Sequence, residues 1–122
     1  MKKGISKGKL FLFQWDEASA QQRAKELRAA RWEVVGVESS DGARGGKAAL
    51  DLQPDVIIFD LAKRPSHSYA TAEGIRGYKA GRALKMVFVD GTDEVLAKTK
   101  ARVKDGVYTT SAELLKALAK LA

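Results

Sequence analysis

The chain has 122 residues, 45% of them hydrophobic, no cysteine and a formal net charge of +7; it fits one compact domain, and a second has no room. The missing cysteines exclude a disulfide framework, a thiolate metal site and a cysteine nucleophile. No apolar run approaches the ~18 residues of a membrane span, and the run at 10–13 is too short for a signal-peptide core, so the expected location is the cytoplasm.

In chain order, residues 1–8 read as a flexible basic arm, and residues 9–122 as the single domain. Lys2, Lys3, Lys7 and Lys9 carry four of the positive charges, and removing them leaves only +3. A second basic set, Arg76, Lys79, Arg82 and Lys85, is spread around one helix and the following strand start, as solvated side chains are. This distribution disfavours a nucleic-acid partner.

The first strand is predicted over 9–15 and the first helix over 17–30, with Asp16 as N-cap. A second strand at 32–37 leads through Ser39-Ser40-Asp41-Gly42 into a helix over 43–52, weakened by the Gly45-Gly46 pair. The third strand is Val56-Ile57-Ile58-Phe59, apolar at every position and closed by Asp60. Residues 61–68 read as a loop, 69–78 as the third helix, 84–89 as the fourth strand and 92–103 as the fourth helix. After the Asp105-Gly106 turn comes a short fifth strand at 107–109. Ser111, with Glu113 behind it, is expected to cap a last helix that carries Leu114, Leu115, Leu118 and Leu121 on one face.

Five β-α units in succession imply a parallel sheet covered on both sides, because right-handed crossovers place helices on both faces. The expected fold is a flavodoxin-like, doubly wound α/β sandwich with strand order 2-1-3-4-5, whose ligands bind at the carboxyl edge of the strands. In that order Asp16, Asp60 and Asp90 converge on one end of the sheet. Three acids so placed are a cation site, for which Mg²⁺ suits all-oxygen ligands, a phosphoacceptor site, or helix N-caps.

The segment PDVIIFDL, residues 54–61, the position of Asp16 44 residues before Asp60, the turn at 39–42 and the Ile-Arg ending of the third helix resemble the receiver domains of bacterial response regulators. The likeness runs from Lys9 to Leu121. It implies that Asp60 is the phosphoacceptor and Asp16 the second acid of the family's metal-binding pair. Four switch positions depart from the pattern. Trp15 stands where the first acid belongs, and Asp90 replaces a Ser or Thr that would hydrogen-bond a phosphoryl oxygen. At the fifth strand, Thr109 and Thr110 stand where the family has a lysine followed by proline.

Phosphoryl transfer to an aspartate needs positioning and charge neutralisation above all, and several of those contacts are missing together. The expectation is a stand-alone receiver-like signalling domain of the two-component, phosphorelay type with a degenerate site, weak or absent Mg²⁺ binding, and an output by protein–protein interaction. The alternative is an atypical receiver still phosphorylated on Asp60. A flavodoxin-like domain binding a nucleotide or other cofactor is more distant, because Gln14-Trp15-Asp16-Glu17 is acidic and bulky where a phosphate loop belongs. No strand end carries the D-x-D of a haloacid-type hydrolase, so no enzyme activity is expected. His67, the only histidine, reads as a solvated loop residue, and Trp15 either roofs the pocket or packs on the first helix. The resemblance implies a kinase or effector protein as partner, and a homodimer face built from the fourth helix, fifth strand and fifth helix.

Overall fold

The computed structural model describes residues 6–121. Five parallel strands, β1 (Lys9–Phe13), β2 (Glu33–Glu38), β3 (Val56–Asp60), β4 (Lys85–Val89) and β5 (Val107–Thr109), lie in the order β2-β1-β3-β4-β5. The helices are α1 (Glu17–Ala29), α2 (Gly42–Leu52), α3 (Pro65–Arg76), α4 (Asp93–Arg102) and α5 (Leu114–Leu121). The expected fold class is the observed one.

The central strands are apolar throughout because both faces are covered. Leu10, Leu12, Val56, Ile58, Val87 and Val89 face α1 and α5, packing on Ala24, Leu27, Leu114 and Leu118. The alternate residues Phe11, Phe13, Ile57, Phe59, Met86 and Phe88 join Ala49, Ala72 and Ile75 on the other side. There an aromatic row crosses the sheet: Phe13 stacks on Phe59 at 4.9 Å, Phe59 on Phe88 at 5.1 Å and Phe88 on Tyr108 at 5.0 Å between ring centroids. The row lies one residue below the carboxyl edge of β3 and fixes the height at which Asp60 emerges.

Several sequence expectations are corrected. Residues 1–5 of the arm lie outside the described residues, but Lys7 donates its N–H to the Arg31 carbonyl and Gly8 accepts one from Glu33 (both 2.9 Å). The chain is therefore tied to the sheet from Lys7, ahead of the expected boundary. Helix α3 starts four residues earlier than predicted, at Pro65, whose fixed φ suits a first helical position, after Arg64 in the left-handed region (φ 45°). It ends at Arg76, before Gly77, and a single 3₁₀ turn at Lys79–Gly81 follows. Thr110, not Ser111, caps the last helical segment, accepting from the Glu113 N–H. Leu115 is 49% exposed, so it does not share the buried face of Leu114 and Leu118.

Candidate functional site

The strand register decides where each acid stands. Asp60 is level with Val89 of β4, which is level with Thr109 of β5, and Phe13 of β1 is level with Phe59. Asp60 thus sits at the rim, Asp90 one residue beyond it and Asp16 two residues beyond Gln14, all at the carboxyl edge of the sheet.

Asp60 is only 3% exposed. Its Oδ2 accepts the Lys63 N–H at 3.1 Å, and its carbonyl accepts the Ser68 hydroxyl at 2.5 Å. Burial pushes the carboxyl above its usual pKa; the N–H groups of Lys63 and Ala62 and the charge of Arg23 pull it back, while Asp90 pushes the same way as burial.

The other two acids are committed elsewhere. Asp16 is the N-cap of α1: its Oδ2 accepts the N–H of Ser19 at 2.9 Å and the Ser19 hydroxyl at 2.5 Å. The Ser19 hydroxyl bond is the main cause of a pKa below the ordinary aspartate value, and the Lys63 ammonium at 3.7 Å adds to it. Asp90 does not begin a helix; Thr92 caps α4. Asp90 instead adopts a left-handed backbone (φ 66°) and accepts both the N–H (2.8 Å) and the hydroxyl (2.6 Å) of Ser111.

Among the described residues no group of three His, Cys, Asp or Glu side chains comes together as a metal-ligand set. Asp16, Asp60 and Asp90 thus share an edge without pooling their oxygens in this arrangement. The physical reason is that Asp16 and Asp90 each spend a carboxylate on a neighbouring serine. The donor set in this arrangement does not fit Mg²⁺ in the way three convergent carboxylates would.

Trp15 packs into the core on the face of the sheet opposite the buried residues of α1. It is buried, its ring lies 5.9 Å from Phe13, and its indole N–H donates to Ser68 Oγ at 2.8 Å. Ser68 donates its own O–H to the Asp60 carbonyl, so one hydroxyl joins the end of β1, helix α3 and the residue at the end of β3. His67 packs edge-on against Trp15 at 5.3 Å. Thr109 lends its backbone carbonyl to the Asp90 N–H (2.9 Å), and Thr110 spends its hydroxyl on the cap.

Two cations escaped the sequence reading. Lys63 lies in the loop after β3, three residues past Asp60, a spacing with no periodic signature. Arg23 is on α1, and its Nη2 donates to Ser111 Oγ at 2.6 Å. A signal for it existed: Ala20, Ala24 and Leu27 form the buried stripe of α1, and Arg23, one position before Ala24 and three after Ala20, places a charge beside that stripe.

No protein-family model matches the sequence, and no curated protein does. Solved structures do match over nearly the whole chain. The chemotaxis protein CheY4 of Vibrio cholerae superposes with a TM-score of 0.76 at 17% identity, covering 98% of this chain and 100% of that one. The signal receiver domain of a modulated diguanylate cyclase from Desulfovibrio desulfuricans gives 0.71 at 20% identity, over 94% and 92%. The receiver domain of a sensor histidine kinase from Pseudomonas aeruginosa, with a magnesium ion coordinated in its active-site cleft, gives 0.69 at 18% identity, over 93% and 96%. The fold of this chain is that of a receiver domain.

Proposed function

We propose that the chain is a receiver-like signalling domain of the two-component type whose phosphoacceptor site is degenerate, and that it acts by docking on another protein. The observation that carries this reading is the place of Trp15: at the end of β1, where the receiver pattern has a metal-binding acid, its indole is hydrogen-bonded to Ser68 and buried. Asp60 keeps the phosphoacceptor position but is closely covered. Asp90 sets a carboxylate where an incoming phosphoryl group needs a hydroxyl, and like charges that close oppose transfer. Mg²⁺ binding is weak or dispensable in this reading, and the domain is not an enzyme.

The partner is a protein, a kinase or a downstream effector, met in the cytoplasm. A homodimer through α4, β5 and α5 is compatible with Leu115, a large apolar side chain left exposed on α5. Incubation with a small-molecule phosphodonor and Mg²⁺, followed by intact mass, tests the reading. The expected result is no phosphoryl increment; an increment that Asp60→Asn abolishes would replace this reading with that of a working, atypical receiver.

A further inference from the structure

We propose that Arg23 is the resident cation of the Asp60 site: delivered from α1 and held by Ser111, its guanidinium supplies the positive charge that a divalent ion would otherwise bring. The inference rests on the receiver-like reading only for the importance it gives to Asp60.

The geometry is built from three segments. Arg23 Nη2 donates to Ser111 Oγ at 2.6 Å, and Ser111 turns both its hydroxyl proton and its backbone N–H toward Asp90, at 2.6 and 2.8 Å. Helix α1, the segment after β5 and the end of β4 are thereby joined by one chain of charge-assisted bonds, with a single hydroxyl between the guanidinium and the Asp90 carboxylate.

The guanidinium is not saturated by this contact. Its Nη1 is buried and has no hydrogen-bond partner, and Arg23 makes no ion pair with a carboxylate among the described residues. A guanidinium cannot shed its proton, so Arg23 holds a permanent positive charge at this edge. Asp90 is one hydroxyl away, and Asp60, level with Val89, stands beside Asp90 at the same edge; the positive charge of Arg23 works against the effect of burial on the Asp60 carboxyl.

A divalent ion entering the same edge would meet a fixed positive charge, with Asp16 and Asp90 already accepting from serines. Arginine also explains how the edge tolerates Asp90 at all. An acid in the place of a hydroxyl adds a negative charge beside Asp60, and Arg23, bridged by Ser111, offsets it. In this reading Asp90, Ser111 and Arg23 are one substitution for a metal and a strand-five cation, made at three places in the sequence.

The experiment is a Mg²⁺ titration of the full chain at constant ionic strength, read by tryptophan fluorescence and by thermal midpoint, with no phosphodonor present. Its outcome is therefore independent of whether Asp60 accepts phosphate. The wild type is expected to give no saturable response. Arg23→Gln is expected to gain one, which the second change Asp60→Asn removes, while Arg23→Lys, keeping the charge, stays as silent as the wild type. A saturable, Asp60-dependent response in the wild type overturns the proposal, and so does a folded Arg23→Gln protein as silent as the wild type. Circular dichroism identifies the folded variants. Should Arg23→Gln not fold, Arg23→Met at the same position takes its place in the comparison, with the same two outcomes.

Discussion

The indole N–H of Trp15 donates to Ser68 Oγ at 2.8 Å, and Ser68 donates in turn to the Asp60 carbonyl. Ser68 is fully buried, so water cannot replace either bond. Ser68→Ala removes the acceptor of the indole and one donor to Asp60 together, and leaving a buried donor unpaired costs about 1–3 kcal/mol. Urea unfolding should show a loss in that range, with a change in Trp15 emission in the native state. A loss within about 0.5 kcal/mol of zero, the usual scale of a neutral surface change, would mean that the chain of bonds does not hold the edge together.

Asp60 trades stability for position. Its folded pKa is raised, chiefly by burial, so between the unfolded and folded values the native state binds more protons than the unfolded chain, and stability falls as pH rises through that window. Asp60→Asn removes the buried charge and keeps an acceptor for the Lys63 N–H. It should stabilise the domain at neutral pH, on the order of 1 kcal/mol, and the gain should vanish below the ordinary aspartate pKa, where both side chains are neutral. Thermal melts at neutral and acid pH decide this; an Asn variant less stable than wild type at neutral pH would show that the ionised carboxylate is held by more than the contacts described.

The strands were legible because burial on both faces writes itself as unbroken apolar runs, and a carboxylate ending such a run can only lie at the edge. Asp60 was readable for that reason. What the three acids do at the edge was not readable, because it depends on which partner each carboxylate finds, a serine for Asp16 and Asp90 and the Lys63 N–H for Asp60. Ser19 lies three residues after Asp16 and is a local cap, but Ser111 reaches Asp90 across 21 residues. Arg23 reaches Ser111 across 88. Contacts of that separation follow from the sheet order and leave no spacing in the sequence. The start of α3 was missed for a local reason: the loop residues after Asp60 outweighed Pro65, although proline is favoured at a first helical position.

Gly45 of α2 and Gly74 of α3 divide cleanly. A Cβ at Gly45 would stand 2.5 Å from a Phe13 ring carbon and 2.6 Å from Glu38 Cγ, whereas one at Gly74 would meet nothing within 4 Å. The glycine that weakens α2 by propensity is thus required by the close approach of α2 to β1 and β2. Gly74→Ala should add about 0.5–1 kcal/mol through helix propensity alone. Gly45→Ala should lose stability in spite of the same propensity gain, since overpacking commonly costs about 1–3 kcal/mol. Chemical denaturation of the pair tests it, and equal gains at both positions would show that α2 can move off the sheet without cost.

Glu38, at the end of β2, is the acid whose titration should dominate acid unfolding. Its side chain is 8% exposed and accepts Arg44 Nε at 3.0 Å, Arg44 Nη2 at 2.8 Å, and the backbone N–H groups of Asp41 (2.9 Å) and Ser40 (3.1 Å). Arg44 is the largest cause that holds its pKa down at about 2, against an ordinary 4.5, with burial working in opposition. A depressed carboxyl stabilises the fold fully above its unfolded pKa and loses that contribution as pH falls toward its folded one. Its share at neutral pH is about 2 to 3 kcal/mol, the lower figure allowing for solvent screening at Arg44, which is 66% exposed. Glu38→Gln should therefore cost about that much at neutral pH and flatten the stability profile between 4.5 and about 2, the two proteins converging at the acid end. High salt should shrink the difference only in part, because the two N–H bonds that anchor the turn into α2 are part-buried and are screened less than a surface pair is. A Glu38→Gln profile parallel to wild type through the acid range would place the titrating group elsewhere.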